Sequence, residues 1–139
     1  MLRYHFKMEK ILDYRSNVEK TKVEDYAIIN LLLDKEKGHL DGLETEYKNK
    51  TQNTASSVKE MKMQFLYMEK LKGQLQTQKR KVDEISSSLE DARGNLIEAR
   101  KDRKIMELLQ EKDKEKFNAE MASKEQKELD DISIMKYSR

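Results

Sequence analysis

The sequence predicts an all-α protein, a long antiparallel two-helix coiled-coil hairpin with a polar break near residues 49–57 and an apolar mid-chain tip. Three observations carry that prediction. First, the 139 residues contain no proline, where average usage of about 5% would place roughly seven. Proline interrupts helices because it lacks an N–H and clashes with the preceding turn. Second, apolar residues recur at alternating spacings of three and four, the period of a helix–helix seam. Third, one short polar segment separates two such runs.

The first arm, expected over about 4–49, carries the seam Tyr4, Met8, Ile11, Arg15 and Val18. After Lys22 the seam resumes as Tyr26, Ile29, Leu33, Glu36, Leu40, Leu43 and Tyr47. The extra spacing of four at Lys22 is a stutter, which locally unwinds a coiled coil without ending it. The break, Asn49 to Ser57, reads NKTQNTASS and has no large apolar residue. Its side chains compete for backbone hydrogen bonds. Helix is expected to resume at Val58, because Ser57 and Glu60 have capping-box spacing.

The next segment places Val58, Met61, Phe65 and Met68 on one face. At Gly73 the helix either kinks or absorbs a cost of about 1 kcal/mol. The second seam runs Leu75, Gln78, Val82, Ile85, Leu89, Ala92, Leu96, Ala99, Arg103, Met106 and Leu109. It continues more loosely through Phe117 and Met121 to Leu129, Ile132 and Met135. The arms are unequal, so residues 4–49 are expected to pair with about 90–137, the second arm, within one coiled-coil domain. That leaves 58–89 (50–89 including the turn) as an unpaired or separately packed tip holding the cluster Phe65-Leu66-Tyr67-Met68. A homodimeric spacer of parallel helices is the alternative architecture, but it needs no break, so a monomeric hairpin is expected.

Composition excludes several functions. Charged residues are 40% of the chain and nearly balance, for a net charge of +2. A dedicated nucleic-acid binder would carry a clear basic excess. Without cysteine there is no disulfide, thiolate metal site or cysteine nucleophile. No run approaches the roughly 18 apolar residues of a membrane span. The opening MLRYHFKMEK has no apolar signal-peptide core, so secretion is not expected.

No enzymatic constellation is visible, and no cofactor is expected. His5 and His39 lack companions at ligand spacing, and no GxxxxGK[ST] loop is present to cradle phosphates. The carboxylate neighbours Glu24-Asp25 and Asp130-Asp131 are what so dense a charge produces. Gly38 and Gly42 match GxxxG, yet their setting, GHLDG, is polar and unlike a membrane-dimer face.

Four features fit docking. The clusters Lys79-Arg80-Lys81 and Arg100-Lys101-Asp102-Arg103-Lys104 read either as a solvated, charge-balanced face or as a site for acidic groups. Arg15, Arg103 and Glu36 fall on the apolar seams, where a charge requires a partner. Each implies an ion pair in the seam or a surface meant for another protein. Phe65, Met68 and Leu71 read either as core or as a docking patch, since exposed apolar patches mark interaction sites.

Both ends of the chain resemble the flagellar export proteins of the FliJ family. In the opening YHFKMEKILDYRSNVEKTK, the residues Phe6, Met8, Ile11, Leu12, Tyr14 and Arg15 fill the family's F-x-[apolar]-x-x-[apolar]-L-x-[apolar]-[KR] pattern. In the closing stretch, Glu125, Lys127, Leu129, Asp130, Asp131, Ile132, Ser133 and Ile134 supply a family-like run, followed by Tyr137 and Arg139. The match is good over about 4–30 and 100–139, and in the middle is one of pattern only. The resemblance implies a hairpin like the central stalk of rotary ATP synthases, with its ends in the ring of the hexameric flagellar export ATPase. It also implies a mid-chain region that reaches the cytoplasmic domain of the membrane export gate, and a role in handling export chaperones. It places the protein in the cytoplasm, peripheral to the membrane at the flagellar base. An injectisome stalk is a close variant. On this reading Phe65, with Met68 or Leu71, contacts the gate. Arg15, Arg103, Glu125, Lys127, Leu129, Asp130 and Ile132 face the ATPase.

Overall fold

The computed structural model describes residues 3–138. It contains two helices packed against each other as an all-α hairpin, α1 (Glu9–Thr51) and α2 (Val58–Tyr137). No strand is present among the described residues. Two compact units divide the chain, one of Met1–Lys20 with Ile97–Arg139 and one of Thr21–Leu96.

In the unit Thr21–Leu96, α1 ends with Lys48 and Lys50 in its last turn, where basic groups suit the negative end of the helix dipole. The Gln64 amide of α2 donates to the carbonyls of Lys50 (2.7 Å) and Asn53 (3.0 Å). It thereby satisfies acceptors that a helix C-terminus leaves open. Ser57 caps α2: its Oγ accepts the Glu60 N–H at 3.2 Å, and its carbonyl receives the Met61 N–H at 2.9 Å. The Glu60 carboxylate reaches one residue further back than the capping-box spacing predicts. It accepts from the Ser56 N–H at 3.0 Å and the Ser56 hydroxyl at 2.7 Å, which hold it below the usual carboxylate range.

The seam positions expected from Val82 to Leu96 and around Leu33 are the inner ones. Leu33, Val82, Ala92 and Leu96 are buried, together with the polar pair Glu36 and Gln78. The axial pairing differs from the expectation that left 50–89 as an unpaired or separately packed tip. Here α2 lies against α1 from the break onward, through Gln64 with Lys50, Tyr67 with Glu46, and Gln78 with Glu36. A short turn brings antiparallel helices together at once, and the capping contacts of Gln64 hold that register. Gly73 lies within α2 without interrupting it.

In the other unit, Phe6, Ala99 and Met106 form the buried core. Helix α1 starts at Glu9, later than the expected Tyr4. Tyr4 and Phe6 both turn toward α2, and residues two apart in a helix would point about 200° apart. A non-helical strap over residues 3–6 lets both pack. The Tyr4 hydroxyl bonds to the Gln110 carbonyl (3.2 Å) and the Asp113 carboxylate (3.0 Å). Its ring meets Phe117 at 5.4 Å between centroids, tilted by 60°. Burial and the Asp113 contact push the Tyr4 phenol above its ordinary value. Leu109, expected in the seam, is exposed, and Gln110 takes the partly buried place beside Tyr4. Beyond Met121 no residue of 122–138 is buried.

Candidate functional site

Two surfaces hold the residues singled out by the sequence, one in each unit.

The first lies where α2 begins. Val58, Met61, Phe65 and Leu66 form an apolar patch edged by Lys62, with Phe65 63% exposed. Local packing explains why Phe65 and Leu66 face outward. The neighbouring Tyr67 turns inward, donates its hydroxyl to Glu46, and lies under the Lys50 ammonium, 5.3 Å from the ring centroid. The hydroxyl's bond to the Glu46 carboxylate raises the phenol pKa. Because Tyr67 fixes the phase of α2, Phe65 cannot reach the seam. Met68 is half-buried. Leu71, at 2% exposure, is the most completely buried large side chain. It belongs to the core and is not available to a partner.

The second surface holds the seam arginines and the closing stretch. Arg15 donates to the Asp102 carbonyl at 3.0 Å. Arg103 pairs with Glu19 and with Glu107 one turn away, and Arg100 approaches the same Glu19 at 3.6 Å. The contacts to Glu107 and Glu19 push the Arg103 guanidinium above its ordinary value, and Arg103 in turn holds Glu107 below the usual carboxylate range. Of the two readings for seam charges, the structure supplies the ion pair for Arg103 and a backbone acceptor for Arg15. Both stay partly exposed. Arginine offers five N–H donors, so these contacts leave some free.

Glu125, Lys127, Leu129, Asp130 and Ile132 all lie on the exposed part of α2. Leu129 and Ile132 are 59% and 55% exposed. The Gln126 amide donates to Asp130 at 3.1 Å. Sequence spacing treated this stretch as continued seam; its apolar residues have the phase, but α1 does not cover them.

Glu36, the third seam charge, accepts from the Gln78 amide and meets Lys81 at 3.2 Å. Sequence reading identified its position but not its partners. Gln64 and Glu19 escaped that reading, and Tyr67 entered it only as a member of the apolar tip cluster. Each is an ordinary polar residue whose role depends on what α1 and α2 bring opposite it.

Among the described residues no group of three or more His, Cys, Asp or Glu side chains is placed to hold a metal ion. No helix there is long and apolar enough to cross a membrane. The exposed apolar side chains of Phe65, Leu129 and Ile132 stand among charged neighbours on α2.

No curated protein and no solved structure matches the chain. The family model described as the flagellar FliJ protein matches residues 4–139, which spans both surfaces and the break between α1 and α2. The chain belongs to the flagellar FliJ family and is a flagellar export component.

Proposed function

We propose that this protein acts as a stalk-like adaptor of flagellar export, engaging the hexameric export ATPase with one surface and the membrane export gate with the other. The observation that carries the reading is the closing stretch of α2. Its family-like run lies on a helix whose Leu129 and Ile132 nothing in its own unit covers. An uncovered apolar row on a charged helix is a docking face. Arg15 and Arg103 belong to the same ATPase-facing set through the N–H donors left over by their internal partners. Glu125, Lys127 and Asp130 supply its polar rim.

At the start of α2, Phe65 is the gate contact, with Met68 beside it; Leu71 drops out because it is buried. The adaptor is a monomer, works at the cytoplasmic face of the membrane, and hands over export chaperones while bound. Its part in export is contact with these partners, not catalysis.

ATP turnover by the flagellar export ATPase, measured with and without the chain, tests this reading. The wild type raises turnover and stabilises the hexamer, and the Leu129→Asp/Ile132→Asp variant does neither. Absence of any effect of the wild type on turnover or oligomer size overturns the reading. A stable parallel dimer in sedimentation favours a structural spacer instead.

A further inference from the structure

The unit Thr21–Leu96 has a third surface that the export reading does not use. A groove runs between α1 and α2, with Ile28, Ile29 and Ala92 on its apolar part. Ile28 is 64% exposed, and Leu32, one turn further along α1, is also exposed. Asp25 on α1 and Asp91 on α2 stand on opposite sides of the groove, and Lys22 and Asn95 close its far end. No ion pair engages Asp25 or Asp91 among the described residues, although α2 carries several such pairs elsewhere.

The geometry points to a docking groove for one amphipathic helix of a protein partner, bearing an apolar stripe flanked on both sides by Lys or Arg. The groove lies between two packed helices and offers no open strand edge, so a helix, with its own backbone bonds satisfied, is the occupant that fits. Besides Asp91 and Asn95, its α2 wall carries only the short side chains of Ser88 and Ala92, which permits a third helix to approach closely. The charge pattern then selects the partner's flanks. An apolar residue seated on the exposed Ile28 leaves the guest's two flanks facing Asp25 on the α1 wall and Asp91 on the α2 wall. Basic side chains on both flanks meet a carboxylate each, whereas acidic ones meet like charge. This inference stands independently of the stalk reading, since it uses neither the Phe65 patch nor the closing stretch.

The full chain is titrated at low salt with two designed helical peptides of about three heptads. They share a Leu stripe and differ only in carrying Lys or Glu at the flanks. The Lys-flanked peptide binds about tenfold more tightly, as two exposed ion pairs allow. Asp25→Asn with Asp91→Asn removes that preference while leaving helicity unchanged. Ile28→Asp abolishes binding of both peptides; the residue is exposed, so the variant stays folded. Equal affinity for the two peptides overturns the proposal, as does binding undiminished by Ile28→Asp. It is equally overturned if sedimentation shows a dimer of the chain that Ile28→Asp dissociates.

Discussion

The side-chain amide of Gln78 donates to Glu36 twice, to its backbone carbonyl at 3.0 Å and to its carboxylate at 2.6 Å. Both residues are buried, Glu36 at 8% exposure, and Lys81 completes the carboxylate's surroundings at 3.2 Å. A polar layer of this kind defines one axial register, because any slip of α2 leaves a buried carboxylate without donors. The Gln78 bond, helped by Lys81, holds the Glu36 carboxyl below its usual range.

That depressed pKa makes the layer sensitive to acid. A carboxylate with a lowered folded-state pKa contributes stability above its unfolded pKa, and the contribution is lost as pH falls through the folded value. The melting temperature therefore falls as the medium is acidified below about pH 4, the unfolded glutamate range. Glu60 and Glu107, also held low, add to the effect. Glu36→Gln should lower the melting temperature at neutral pH and flatten its decline in acid, measured by circular dichroism. An unchanged acid slope would show that Glu36 takes no part.

The positions of both layers and seams were legible in the sequence, and their pairing was not. Glu36 and Gln78 were each placed on a seam by spacing alone, as were Leu33, Val82, Ala92 and Leu96. Helical period reports which face of a helix is apolar. It does not report which turn of the partner lies opposite, since a seam of similar residues fits at several offsets. Register came from isolated polar contacts, such as Gln64 on Lys50 and Gln78 on Glu36, which have no periodic signature. The same limit explains Leu71. Sequence reading left Leu71 open between core and docking patch, but Tyr67 and Leu71 follow each other at i, i+4 and turn inward together, which leaves Phe65 outside.

Phe65 and Leu71 consequently give opposite outcomes on truncation. Leu71→Ala removes a fully buried side chain and should cost about 2–5 kcal/mol in denaturant unfolding. Phe65→Ala should leave helicity and melting temperature nearly unchanged and impair motility and export in cells. A large loss of stability in Phe65→Ala would place that ring in the core and remove it from the docking set.

Gly73 provides a stabilising test of the fold. It sits inside α2 without a positive φ, and a Cβ added there meets nothing within 4 Å. Gly73→Ala should stabilise the protein by about 1 kcal/mol, through the lost backbone freedom of the unfolded chain and the higher helix propensity of alanine. Thermal or urea unfolding reads this directly. A destabilised variant would mean that α2 bends at Gly73 and needs the glycine.

The Ser57 cap is equally accessible. Its Oγ accepts the Glu60 N–H, one of the donors a helix start leaves unpaired. Ser57→Ala should cost about 1 kcal/mol, while Ser57→Asp should retain the cap. If Ser57→Ala is silent in urea unfolding, the neighbouring Ser56–Glu60 contacts carry the start of α2 unaided.

Arg103 separates an internal role from a docking role. Its guanidinium binds Glu19 and Glu107, and the resulting depression of the Glu107 pKa ties the interaction to pH. The contribution is present above the unfolded glutamate pKa and disappears as Glu107 is protonated through its lowered folded value. Arg103→Ala should therefore melt at a lower temperature than the wild type at neutral pH. The two should converge near about pH 2, where carboxylates are protonated. Arg103→Met keeps the packing of the stem without the charge, so its remaining difference from the wild type isolates the guanidinium. If Arg103→Met keeps wild-type helicity at the assay temperature yet fails to raise turnover by the export ATPase, the lost function belongs to the N–H donors that face outward. If turnover is undiminished, Arg103 serves the hairpin alone, and the ATPase-facing surface contracts to the exposed closing stretch around Leu129 and Ile132.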